Sequence, residues 1–208
     1  MDFSLLPEAM LLTVEITLAA MGIGMVLGVL VVVARRSRFR VLRAVAVVWT
    51  DVVRGVPPLV WLMLVFLGIG LFTALGTAII VFGLVASAYC AEIYRSGLEA
   101  VPRGQTEALA ALAVPARTGQ LRVVAPQAAV IAAPAVLSYA IGLVKDSSLA
   151  SVIGVAELTF VANRAANRTG DGITPFVTVG VLYLLFSLLL AVAGKLGTQR
   201  LEGRWRTR

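Results

Sequence analysis

The sequence predicts an all-α membrane protein with five transmembrane helices, an outside N-terminus and a cytoplasmic C-terminus. Three observations carry this expectation. Of the 208 residues 60% are hydrophobic and only 14% charged, against about 25% charged in an ordinary globular domain, and the mean hydropathy is +0.96. Four charge-free runs, 16–34, 55–91, 123–144 and 172–194, hold 19, 37, 22 and 23 residues, and a helical crossing needs about 20. The basic residues are also unevenly spread. Five arginines (Arg35, Arg36, Arg38, Arg40, Arg43) follow the first run, four (Arg95, Arg103, Arg117, Arg122) follow the second, and five (Lys195, Arg200, Arg204, Arg206, Arg208) follow the last. Only Lys145, Arg164 and Arg168 fall on the opposite side. That is the positive-inside asymmetry.

Taken in order, the expected spans are about 10–34, 57–73, 76–94, 123–144 and 173–194 of one transmembrane domain covering 1–208. The first is not a cleaved signal, because Asp2 and Glu8 stand where a signal needs positive charge and the apolar stretch exceeds an h-region. Gly24 and Gly28 in this span have GxxxG spacing, which suits either a close helix contact or simple membrane-helix filler. The 37-residue run is long enough for two crossings, with Gly68, Gly70 and Gly76 at the turn. Before it comes VVWTDVVRGVPPLVWL, where Asp51 and Arg54 stand three apart and can pair on one helix face. Pro57 and Pro58 suit a helix start, so Asp51, Arg54 and Pro57 form an interfacial turn at the beginning of span two. A snorkelling structural pair and a functional one both fit this turn.

Several chemistries are excluded. With no histidine and one cysteine, Cys90, in an apolar stretch, neither an internal disulfide nor a Ser-His-Asp site can form. A zinc or haem site is disfavoured too, and no catalytic or metal-ligating set emerges. A lipid-processing membrane enzyme would need clustered acids to hold metal. The eleven acids here are scattered on both sides, and only Glu15 lies deep in an apolar segment. The net charge of +7 is confined to loops, where it touches lipid headgroups rather than nucleic acid.

Two polar segments remain. The outside loop 145–171 opens with KDSSLASVIGVAEL, and Lys145 and Asp146 close a 22-residue apolar run. Ionisable residues at such a place either serve function or anchor the helix end. Between spans three and four lie about 30 cytoplasmic residues whose charge-free part, 108–116, has nine residues and cannot cross a bilayer. The reading here is two short helices. Pro102 opens the first, Glu107 lies near its positive end, Leu109 and Leu112 give it a greasy side, and Pro115 stops it. So short a helix is marginal alone and needs either its own membrane domain or another protein to pack against.

The order Glu107-Ala108-Leu109, three residues, Ala113, nine residues, Val123, one residue, Ala125-Pro126 resembles the EAA loop of permease subunits of ABC importers. That loop is usually E-A-A, three residues, G, nine residues, I, one residue, L-P. AEIYRSGLEAVPRGQTEA, VVAPQA, LVKDSSLASVIGVAELT and RGVPPL are similar to the polar amino-acid branch of the same family. Leu109, Ala113 and Ala125 depart from its pattern. Glycine at position 113 would end the first helix in a left-handed conformation, at a cost to alanine of about 1 kcal/mol.

The resemblance implies a multi-pass permease subunit in a prokaryotic plasma membrane, importing a polar or charged amino acid by alternating access. An opine or a compatible solute is the alternative cargo. It implies that the loop about 96–122 is a coupling element, with Gly104, Glu107, Ala108, Leu112 and Ala113 meeting a cytoplasmic ATPase. Lys145, Asp146, Ser147, Ser148 and Glu157 become candidates for the substrate path. The implied partners are a pair of ATP-binding subunits holding ATP and magnesium, a second permease subunit (identical or homologous) and an extracytoplasmic solute-binding protein. This chain has no phosphate-binding loop of its own, since Leu189 precedes Gly194-Lys195 where G-x-x-x-x-G-K-[ST] needs glycine, and Leu196 follows.

Overall fold

The computed structural model describes residues 3–206, with side chains from 4 to 199. Asp2 and the basic tail residues Arg200, Arg204, Arg206 and Arg208 lie outside the described side chains. Nine α-helices make up the described chain: α1 Leu6–Arg35, α2 Arg40–Gly55, α3 Pro58–Gly68, α4 Ala74–Glu99, α5 Arg103–Ala111, α6 Ala116–Gly119, α7 Ala125–Asp146, α8 Leu158–Thr169 and α9 Thr174–Arg206. No strand occurs among the described residues. A five-residue π-helical stretch, Gln120–Val124, joins α6 to α7. A 3-10 stretch, Ser147–Ile153, follows α7 and ends on left-handed Gly154, φ 88°.

Four helical segments are long and apolar enough to cross a membrane: α1, α4, residues 116–153 and the first 26 residues of α9. The second expected crossing is different. Of 57–73 only Pro58–Gly68 is helical, 11 residues or about 16 Å, which is half of a hydrocarbon core. It forms a broken pair with α2, bent by 100°, and counts as a fifth crossing only if the pair is taken as one span. The tandem prolines explain the break. Each disfavours the α region in the residue before it, so Val56 (ψ 132°) and Pro57 (ψ 138°) are both extended.

α1 and α4 form the rigid centre. A Cβ on Gly24 would lie 2.3 Å from that of Ala86, and one on Gly28 would lie 2.7 Å from that of Cys90. The GxxxG spacing is therefore an intramolecular contact, in which small residues let two backbones approach. Ile16, Phe82, Leu62, Leu143 and Ile153 join this pair to α3, α7 and the 3-10 stretch in one buried cluster.

The helices divide the polar groups between two ends of the bundle. At one end the close of α1, α2, the close of α4, and α5 meet through Arg35, Thr50, Glu92 and a small cluster of Val101, Val124 and Ala128. At the other end Ala9 of α1 packs with Leu158, Val161, Ala162 and Val179 of α8 and α9. The loop 145–171 is thus largely helical: α8 turns Leu158, Val161, Ala162 and Ala165 inward and stops at left-handed Gly170, φ 69°. A polar, mixed-sign segment hides this helix, because four small or aliphatic residues suffice for its buried face.

Candidate functional site

Two regions gather the residues singled out from the sequence. The first is α5. Pro102 stands at its N-cap, and every residue of the helix is exposed except Leu109, which is half-buried. Leu109 packs on the Val101, Val124 and Ala128 cluster, whereas Leu112 is 75% exposed. The two leucines expected to share one side thus part company: one holds the helix to its own bundle, and the other projects from it. Gly104, Glu107 and Ala108 lie on the uncovered surface, and the position of Gly104 opens onto free space.

The helix ends at Ala111, before Pro115, which instead caps α6. Its terminator is Ala113, at φ 51° the one non-glycine residue with positive φ among those described. The N–H of Ala113 donates to the Ala110 carbonyl and that of Val114 to the Leu109 carbonyl, both at 3.0 Å. These two bonds make a Schellman motif, whose left-handed position usually holds glycine. The turn thus keeps the glycine geometry on an alanine and carries the strain that substitution entails.

The second region lies at the opposite end. A cleft of about 300 Å³ is lined by Lys145 and Ser148, by Thr159 of α8, and by Phe176, Val179 and Tyr183 of α9. Of the five expected path residues it brings together only Lys145 and Ser148. Ser147 is buried, with its hydroxyl donating to the Val144 carbonyl at 2.6 Å. Asp146, half-buried at the end of α7, does not line the cleft.

Glu157 is wholly buried behind it. Its carboxylate caps α8 by accepting from the Phe160 N–H at 2.9 Å and from the Tyr183 hydroxyl, which also sits 3.1 Å from the Thr159 hydroxyl. Burial raises this carboxyl above the ordinary carboxylate value, and the Tyr183 hydroxyl and the helix-start N–H groups oppose the rise. Glu157 therefore shapes the cleft wall from beneath rather than facing into it.

The interfacial turn is rewired. Asp51 and Arg54 make no ion pair with each other; Asp51 is exposed, and Arg54 sits 3.9 Å from Glu92 and 5.3 Å over the Tyr89 ring. Pro57 caps α3. The sequence reading missed the hub of this region, Glu92. It accepts from Arg35 at 2.6 Å and from Arg95, and Arg35 also reaches the Thr50 hydroxyl at 3.1 Å. One signal was present: Arg35 and Glu92 each end a charge-free run on the same expected side. The pairing of Trp49 with Ser87 at 3.2 Å, and of Tyr183 with Glu157, has no such mark in the sequence.

The architecture is that of a multi-span integral membrane protein with polar groups at both bundle ends. The chain belongs to the family described as binding-protein-dependent transport system inner membrane components, which matches residues 20–203. It is accordingly a transporter subunit of the inner membrane. It is 30% identical over 200 residues to the arginine transport system permease protein of Bacillus subtilis, across 94% of this chain and 91% of that protein. To the nopaline transport system permease protein of Agrobacterium fabrum it is 35% identical over 199 residues, across 88% and 84%. The crystal structure of an amino acid ABC transporter with histidines superposes at a TM-score of 0.89 with 29% identity, covering 95% of this chain and 94% of that one.

Proposed function

We propose that this chain is the membrane-spanning permease of an ATP-driven importer that carries a polar or charged amino acid inward by alternating access. The 102–122 segment would couple it to a separate ATPase. The observation that carries the reading is α5, a short helix held to its own bundle by Leu109 alone, with Glu107, Ala108 and Leu112 uncovered. A helix so exposed is marginal in water and gains most from a partner groove. The left-handed turn at Ala113 returns the chain through α6 and the π stretch directly into α7. Force on α5 thus passes into a span. The ATPase pair, with its ATP and magnesium, a second permease subunit and an external solute-binding protein complete the proposed machine. Cytoplasmic placement of the α5 end follows from the fourteen basic residues assigned to that side in the sequence.

The named substrates of the arginine relative and of the amino acid transporter structure support an amino acid as cargo. The nopaline relative supports an opine as the second reading. Within the cleft, Lys145 offers a cation and Ser148, Thr159 and Tyr183 offer hydroxyls, a set suited to a carboxylate-bearing zwitterion. The test is ATP-dependent uptake by the reconstituted complex across a panel of amino acids and opines. Uptake of at least one polar member is expected; ATP hydrolysis with no uptake of any would refute the assignment. In the same assay Asp146→Ala is expected to change uptake kinetics severalfold while leaving ATPase assembly intact. Unchanged kinetics for every substrate would take Asp146 off the path.

A further inference from the structure

α2 carries three different surfaces around one helix. Ala46, Thr50 and Val53 are buried against the bundle. Val41, Val45, Val48 and Val52 form an outward stripe and are between 47% and 78% exposed. Arg40, Arg43, Ala44 and Asp51 form a third, polar face, also exposed. At 3.6 residues per turn these faces are roughly 120° apart. A crossing helix at a bundle edge meets two surroundings, protein and lipid. A helix lying along the membrane surface meets three: protein, acyl chains and water.

The contacts of α2 fit the second placement. Thr50 lies ten residues beyond Arg40, roughly 15 Å along the axis, yet it bonds Arg35, the last residue of α1. Arg54, near the other end of α2, stands 3.9 Å from Glu92, the residue that also pairs with Arg35, while the long Trp49 side chain reaches inward to Ser87 at the middle of α4. α2 therefore runs across the bundle end rather than up its side. The apolar α3 then departs at 100° to it. Arg36, Arg38 and Arg40 stand just ahead of the valine stripe and Arg43 beside its first turn, all exposed. None of the four has an acidic partner among the described residues, and residues 16–50 contain no acid. Phe39, 60% exposed, lies under the Arg38 guanidinium at 5.1 Å.

We propose that α2 is a surface-lying helix that docks this end of the bundle onto anionic phospholipid, with its valines at the acyl boundary and the four arginines on headgroup phosphates. Charge complementarity selects this occupant: four uncompensated cations beside an apolar stripe match a lipid that presents phosphate and acyl chain together. The inference rests on membrane residence alone, so it stands or falls independently of the cargo and of ATPase coupling.

The test uses the purified full chain in bilayers of phosphatidylcholine with increasing phosphatidylglycerol. Spin labels placed through Val45→Cys and Ala44→Cys are read by their collisions with oxygen and with a water-soluble nickel chelate. The Val45 label is expected at shallow, oxygen-accessible depth and the Ala44 label in water. A Val45 label shielded from both reagents would mean that protein, such as a second copy, covers the stripe, and would overturn the proposal. Native mass spectrometry then compares retained phosphatidylglycerol with phosphatidylcholine. Arg36→Gln, Arg38→Gln, Arg40→Gln and Arg43→Gln combined should cut the preference at least about fivefold, the equivalent of one lost headgroup contact. If that variant fails to insert, the unmodified chain decides the matter: its preference should fall as salt rises from about 0.05 to 0.5 M. A preference indifferent to salt, or unchanged in the variant, would also overturn the proposal.

Discussion

α5 and α8 are both short helices at the ends of one bundle, and they are held in opposite ways. α8 buries four side chains and is capped by a wholly buried glutamate that is itself held by Tyr183. α5 half-buries a single leucine and takes its end from two backbone bonds around a strained alanine. The first is packed into the wall along its inner face. The second is finished only where the chain turns, and its outer surface is left open. The bundle thus seals one end helix and leaves the other bare.

This contrast depends on a rigid frame between the ends, and the largest expected effect is there. Gly24→Val would drive a side chain into Ala86 at the α1–α4 crossing. Overpacking of this kind costs about 3 kcal/mol. The thermal midpoint in detergent should fall sharply, and both end helices should lose protection from hydrogen exchange together. Loss confined to one end would show that α5 and α8 do not share a frame.

Next comes the seal on α8. Glu157→Ala removes the cap and leaves the Tyr183 hydroxyl without its acceptor, which together cost about 2 kcal/mol; α5 should be untouched. Because burial raises the folded-state value of this carboxyl, its ionisation opposes folding. Stability is then fully present below the ordinary glutamate value of 4.5 and declines as pH rises through the folded value. Denaturation followed against pH should show this decline in the unmodified protein and lose it in Glu157→Gln. An identical pH profile in both would mean that Glu157 is not the group responsible.

The two helices also differed in how far they could be read from the sequence. α5 was legible because Pro102 marks its start and the departure from glycine at Ala113 marks its turn, both local signals, although Pro115, expected to stop it, caps α6 instead. α8 was not: a carboxylate cap followed by Leu158, Val161, Ala162 and Ala165 looks like polar loop until its packing on Ala9 and Val179 is known. Its chemistry made Glu157 a candidate for the substrate path, and nothing local in the sequence showed that it would be buried behind the cleft as the cap of α8. Charge-free runs located α1, α4, α7 and α9, since desolvation of the backbone demands helix wherever charge is absent. They failed at α2 and α3, where the 100° bend comes from two prolines inside a run that length alone would divide elsewhere. Glu92 escaped for a related reason: its arginine neighbours come from α1, α2 and α4 at once, and the shared position of Arg35 and Glu92 at the ends of charge-free runs was the one hint of it.

The open surface of α5 supplies the third test. Glu107→Lys reverses an exposed charge that makes no hydrogen bond or ion pair with any described residue. Bundle stability should stay within about 0.5 kcal/mol of the unmodified protein, while affinity for the ATPase, or ATP-driven uptake, should fall at least about tenfold. Normal assembly and uptake would remove α5 from the coupling role and leave its exposure unexplained.

The smallest effect concerns the turn that gives α5 its end. Ala113 holds φ 51°, a conformation costing an L side chain about 1 kcal/mol that glycine avoids. Against this, glycine has more freedom to lose from the unfolded chain, by about 0.4–1 kcal/mol. The two terms nearly cancel for the whole protein, so Ala113→Gly should leave the thermal midpoint almost unmoved. Locally they do not cancel. The turn opens while the surrounding chain stays folded, and the strain relieved then outweighs the small entropy difference over one or two residues. The amides of Ala113 and Val114, whose bonds to the Ala110 and Leu109 carbonyls close the motif, should therefore exchange severalfold more slowly in the glycine variant. In Ala113→Val, a β-branched residue forced to positive φ, they should exchange faster and α5 should fray from its C-terminal end. Equal exchange in all three would mean that the left-handed turn does not hold the helix, and that Leu109 alone distinguishes α5 from loose chain.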